Sequence, residues 1–131
     1  MAGNAFDMEN VRPLRPPRVL LAVTDRRFVR VASFLFARHG FEVASTNGSK
    51  ELLDLLDERV PDAVILDGTE AFGEAARLAG AIEGLHPNVT VIVLAEERVP
   101  APLSNVRILP KWNSFDQLVQ NIARRHLGLA S

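Results

Sequence analysis

The stretch Ala63-Val64-Ile65-Leu66-Asp67-Gly68-Thr69 decides the fold of this chain. Four apolar residues run unbroken into one acid, and Gly-Thr follows at once. A short apolar run closed by turn residues suits a strand buried on both faces of a parallel sheet. In open sheets of that kind, ligands and chemistry gather at the carboxyl ends of the strands. Asp67 then stands at the rim of a core strand and faces a crevice. It fits equally a plain turn-former or helix cap, and this stretch leaves both readings open.

Working outward, the pattern repeats. Val19-Leu20-Leu21-Ala22-Val23 is a first buried strand, and Thr24 or Asp25 caps a helix from Arg26 to His39 that Gly40 ends. Phe28, Ala32, Leu35, Phe36 and His39 fall on one face of that helix. Phe41 to Ser45 is a second strand, and Asn47-Gly48-Ser49 turns into a helix carrying Leu52, Leu53, Leu55 and Leu56. After Asp67 an Ala-rich helix runs from Gly73 to Leu85. Val89 to Leu94 is the fourth strand, and Val106 to Leu109 the fifth. Ser114 and Gln117 form a capping box for a last helix with a core face of Phe115, Leu118, Val119 and Ile122. Strands alternating with helices of this length specify an α/β domain, a parallel sheet with helices on both faces. One irregularity breaks the rhythm. Between Leu94 and Val106, Pro100 and Pro102 leave room for little more than a turn, so the fourth helix is expected to be shortened or absent.

Composition sets the frame. At 131 residues, 47% apolar and net charge −1, the chain reads as one soluble domain with a proper core. It divides into a Pro-rich lead-in over 1–17, a domain over 18–128 and a tail over 129–131. Near-neutral charge gives no argument for nucleic acid or an anionic membrane. Without cysteine there is no disulfide and no thiolate metal site. His39, His86 and His126 have no ligand-like spacing. No apolar run approaches the roughly 20 residues of a membrane span, and no signal peptide opens the chain. A cytoplasmic protein is expected. In the lead-in, Arg12, Arg15 and Arg18 read as a docking strip or as a solvated tail.

Five βα units, an acid after the third strand and Lys111 after the fifth together resemble the receiver domain of bacterial response regulators, a flavodoxin-like (βα)5 fold. Gly40-Phe41-Glu42-Val43 is similar to the family's Gly-aromatic-any-Val signature, and Pro61-Asp62 through Asp67 to its approach to the phosphoacceptor. The resemblance implies that Asp67 occupies the phosphoacceptor position, in a pocket with Lys111, Thr24, Asp25, Thr69 and Ala95. It also implies an acidic pair after the first strand, a hydroxyl ending the fourth, and an aromatic switch on the fifth. Here those positions are Val23 and Thr24, Ala95, and Ile108. Asp25 lies one step late for the pair.

Charge counting gives these departures a physical meaning. The family pocket of three carboxylates and one lysine attracts Mg²⁺, which takes hard oxygen ligands. Asp67 against Lys111 sums to zero, so no cofactor and weak or no Mg²⁺ binding are expected. A direct Asp67–Lys111 ion pair is the expected arrangement, and the vacated metal position is open to Arg26 or Arg27. The expected function is an atypical, phosphorylation-independent receiver domain. It is read as no enzyme but a protein–protein interaction module in two-component signalling, binding a protein partner or itself, with no nucleic acid and no membrane insertion. The alternative is a stand-alone response regulator phosphorylated on Asp67 by a histidine kinase, with Asp25 or Glu96 as acidic neighbour. A small flavodoxin-like binding protein or enzyme is disfavoured, because no Gly-rich phosphate loop follows any strand. An attached DNA-binding output domain is not expected, since one helix follows Lys111. Phe34 on the outer side of the first helix and Trp112, the one tryptophan, are the candidate interface anchors.

Overall fold

The computed structural model describes residues 16–96, 106–112, 117–120 and 122, with residues 49 and 50 described as backbone. Five strands make one sheet: β1 (Arg18–Ala22), β2 (Glu42–Ser45), β3 (Ala63–Asp67), β4 (Thr90–Ala95) and β5 (Arg107–Pro110). Between them lie α1 (Arg26–Arg38), α2 (Ser49–Glu58) and α3 (Phe72–Leu85), and residues 117–120 and 122 are helical. The three unbroken apolar segments take the centre, where both faces are covered. The order is β2-β1-β3-β4-β5, with every pairing parallel.

That order fixes where the helices go. The chain leaves β1 in one direction to reach β2, then returns past β1 to β3 and β4. Right-handed crossovers therefore put α1 on one face and α2 and α3 on the other. Alternation along the strands fills both layers. Leu21, Ile65 and Ile92 pack with Phe28, Phe36 and Leu118, while Leu20, Val64 and Val91 pack with Leu52, Leu56 and Ile82. Between β1 and β3 the crossovers diverge to opposite faces, and the carboxyl edge there is the natural crevice of such a sheet.

Two glycines are required by geometry. Gly40 has φ +85° and closes α1: the Gly40 amide donates to the Ala37 carbonyl and the Phe41 amide to that of Phe36, both at 3.0 Å. This is a Schellman stop, and the Phe36 and Phe41 rings supply its apolar contact edge to face, with centroids 5.4 Å apart. Gly68 is required for a different reason. Its amide donates to the Leu94 carbonyl at 2.8 Å, and a Cβ on it would stand 2.9 Å from that same oxygen.

The structure corrects two local expectations. His39 is exposed and caps α1 instead of joining its core face, because the helix ends at Arg38. Arg18 is not part of a basic tail; it is the first residue of β1, and its guanidinium lies 3.8 Å from Glu42. Expectations for Arg12, Arg15, the crossover over 97–105, Ser114 and Phe115 fall outside the described residues.

Candidate functional site

Three elements meet at the carboxyl edge between β1 and β3. Asp67 ends β3 and Lys111 follows β5. Asp25 is the N-cap of α1, where its Oδ1 accepts from the Arg27 and Phe28 amides at 3.0 and 3.2 Å. Its other oxygen, Oδ2, stands 3.1 Å from Lys111 Nζ, and Asp67 Oδ2 stands 3.0 Å from the same nitrogen. One ammonium thus bridges two carboxylates. Two aromatic rings complete the cage, those of Phe28 and Trp112, each with its centroid 5.7 Å from Nζ.

This changes the charge count. Asp25, one step late along the chain, still delivers its carboxylate to the site, which carries two acids and one base for a formal −1 instead of zero. The cap explains how: turning into the helix swings Asp25 over the rim. Arg27 does not lean into the site; its guanidinium lies over Trp112, 5.7 Å from the ring centroid. Arg26 is exposed and does not line the site either.

Both oxygens of Asp67 are engaged. Oδ1 accepts the Thr69 hydroxyl at 2.6 Å and the Thr69 amide at 3.0 Å, while Oδ2 faces Lys111. Burial pushes the Asp67 carboxyl up, but the bonds from Thr69 and Lys111 outweigh it and hold the group below the usual carboxylate range. Asp25 is lowered chiefly by its bond from Lys111, then by the Phe28 amide. Burial pulls Lys111 down, yet its two carboxylates prevail and its ammonium is held above the ordinary lysine value.

The remaining candidates divide. Thr24 and Thr69 line the cleft at this edge. Ala95 is buried behind it and offers its carbonyl to the Lys111 amide at 3.0 Å, with no hydroxyl to present. Glu96 is exposed and does not line the cleft. Phe34 is exposed on α1, with the Arg38 guanidinium over its ring. Trp112 is half-exposed and meets Phe28 edge to face at 5.5 Å. The cleft itself, of about 540 Å³, opens between the amino ends of α2 and α3. Glu70, Glu74 and Asn47 join its polar wall, and Leu52, Leu66 and Leu78 its apolar one. Sequence reasoning missed Glu74; its spacing of four from Glu70, across the start of a helix, was the available signal. Among the described residues, no three His, Asp or Glu side chains group as metal ligands. No described helix is long and apolar enough to cross a membrane.

No protein-family model matches the sequence, and no curated protein aligns with it. Solved structures do match. The receiver domain of a Francisella response regulator superposes with a TM-score of 0.73 at 20% identity, covering 86% of this chain and 98% of that one. A response regulator from Thermotoga maritima gives 0.72 at 21% identity, over 84% and 97%. An orphan response regulator of H. pylori gives 0.65 at 21% identity, over 85% and 98%.

Proposed function

We propose that this chain, which has the fold of a response regulator receiver domain, is a phosphorylation-independent protein–protein interaction module of bacterial two-component signalling. It acts in the cytoplasm, without enzymatic activity of its own. The observation that carries this reading is the engagement of Asp67: one oxygen accepts twice from Thr69, and the other faces an ammonium shared with Asp25. A phosphoryl donor would have to compete with Thr69 for one oxygen of this carboxylate and with Lys111 for the other. The residues present do not fit Mg²⁺ either. The ion needs oxygen ligands at roughly 2.0–2.1 Å, and both outward carboxylate oxygens converge on Lys111 Nζ, which stands where a bridging cation would. Ala95 and Ile108 supply neither the hydroxyl nor the ring that would relay a bound phosphoryl group.

A second reading is favoured by one observation. The formal −1 contributed by Asp25 gives the site one carboxylate more than the sequence count allowed, which is the direction a metal-dependent phosphoacceptor needs. In that reading a histidine kinase phosphorylates Asp67. One experiment separates the two. The protein is incubated with Mg²⁺ and acetyl phosphate or beryllofluoride, and intact mass and amide NMR spectra are recorded. Unchanged mass and unshifted amides at 67 and 111 are expected. A mass gain abolished by Asp67→Asn would establish the second reading in its place.

A further inference from the structure

The side of the cleft between α2 and α3 takes no part in the Asp25–Lys111–Asp67 group. The cleft measures about 540 Å³ in all, a size suited to a small molecule. Protein interiors are close-packed, so a gap of this size beside the core needs a cause in the sequence. Small residues supply it. Ala71 and Ala75 line the cleft from α3 and Gly48 from α2. No heavy atom lies within 4 Å of where a Cβ on Gly48 would stand. The cleft also reaches Leu52 and Leu66, core side chains no more than 2% exposed, and the half-buried Leu78. Water in it meets an apolar wall, and an apolar body that displaces the water gains the burial.

The same cleft carries unbalanced charge. Asp25, Asp67, Glu70 and Glu74 line it against one cation, Lys111, a formal −3. Lys111 is committed to Asp25 and Asp67, which leaves Glu70 and Glu74 over. Both are exposed, and among the described residues neither has an ion pair. Helix capping does not account for Glu74. It is the third residue of α3, as Glu51 is of α2. Glu51 turns back to accept from the Thr46 hydroxyl and, at 3.2 Å, from the Asn47 amide. Glu74 makes no such bond among the described residues and lines the cleft instead. The amino end of α3 favours an acid, but two like charges at one mouth repel each other, and a cation between them relieves both.

From the apolar wall and the acidic mouth together we infer that this cleft is a binding site for a small organic cation, a primary ammonium carried on an apolar body. The ammonium meets Glu70 and Glu74, and the body lies against Leu52, Leu66 and Leu78. A metal ion is the poorer occupant. Among the described residues no three His, Asp or Glu side chains group as its ligands, and an ion would leave the leucines without a role. Phosphorylated ligands are opposed by the sign of the charge. The inference goes beyond the phosphorylation-independent reading and does not depend on it, because Glu70 and Glu74 stand apart from the bonds that engage Asp67.

The probe is naphthylethylamine, titrated into the full chain without phosphodonor and followed by amide NMR. Two counterparts divide its chemistry. Naphthylpropionate carries the same rings on a carboxylate, and ethylamine carries the same ammonium without rings. Naphthylethylamine should shift the amides of Gly48, Leu52, Glu74 and Leu78 saturably, and each counterpart should bind at least about tenfold more weakly. The pair Glu70→Gln with Glu74→Gln should weaken naphthylethylamine by about tenfold. Both positions are exposed, and circular dichroism checks that the fold persists. Absence of saturable shifts overturns the inference, as does equal binding by either counterpart or by the double variant. So do shifts that gather on another face of the domain, or saturation of these amides by Mg²⁺ with no response to the amine. Such a failure leaves the phosphorylation-independent reading standing, since that falls on the phosphodonor result alone.

Discussion

Lys111 is the residue on which the site turns. Its side chain is 10% exposed, while those of Asp67 and Asp25 are 17% and 33% exposed. Removing the ammonium leaves two carboxylates facing each other, so Lys111→Met is expected to lower stability at neutral pH by about 2 kcal/mol, less than the full cost of orphaning a deeply buried charge because water still reaches both acids. The pH dependence follows from the shifts. Asp67 and Asp25 are lowered, so what they contribute is in place above the ordinary carboxylate range near about 4 and is lost as pH falls through their depressed values. Lys111 is raised, so its share is complete below about 10.4 and is lost as pH rises through its elevated value. Urea midpoints of wild type and Lys111→Met should therefore differ by a constant amount across neutral pH and converge in acid. A gap that persists unchanged at pH 2 would contradict this. The charge of the site was the least legible quantity in the sequence. The charge count left Asp25 out because it lies one step late for the acidic pair, but an N-cap side chain folds back across its own turn, and position along the chain does not record that.

At the scale of elements, the sequence was legible wherever burial imposed a pattern. The continuous apolar runs of β1, β3 and β4 are continuous because both faces are covered. The helical stop at Gly40 was readable because only glycine takes φ +85° without strain. Gly68 was not readable in the same way. It looked like a turn residue, whereas its role is steric and depends on β4, which lies more than twenty residues further along the chain. The two glycines accordingly make different predictions. Gly40→Ala forces a left-handed conformation on an L-residue and should cost about 1–2 kcal/mol, with α1 otherwise intact. Gly68→Ala drives a methyl against the Leu94 carbonyl and Val93 Cγ1, both at 2.9 Å, and the Phe72 ring at 3.1 Å. The ring can move but the carbonyl belongs to the ladder, so a loss of about 1–3 kcal/mol is expected. Chemical denaturation measures both. For Gly68→Ala, amide shifts should also spread along the ends of β3 and β4, and shifts confined to residue 68 would show that the strands accommodate the methyl.

Across the whole molecule, the ammonium of Lys111 joins parts that the chain keeps far apart. It holds the entry to α1 through Asp25, the end of β3 through Asp67, and its own segment after β5. Asp25 is the hinge of this arrangement, since one of its oxygens caps α1 while the other grips the ammonium. Trp112, the next residue, packs on Phe28 in the first turn of α1. The first turn of α1 and the acidic site are therefore one connected body. In Lys111→Met the cap on α1 survives but its tie to β5 is cut. Amide hydrogen exchange should then quicken in the first turn of α1 and around Leu109 and Pro110's neighbours. α2 and the second half of α3, which pack in the opposite layer through Leu56 and Ile82, should keep their wild-type protection. Such local opening is the behaviour of a region held by few contacts at the edge of a cooperative core. If exchange rises uniformly through both layers, Lys111 contributes only to global stability, and the connection between the site and α1 does not exist.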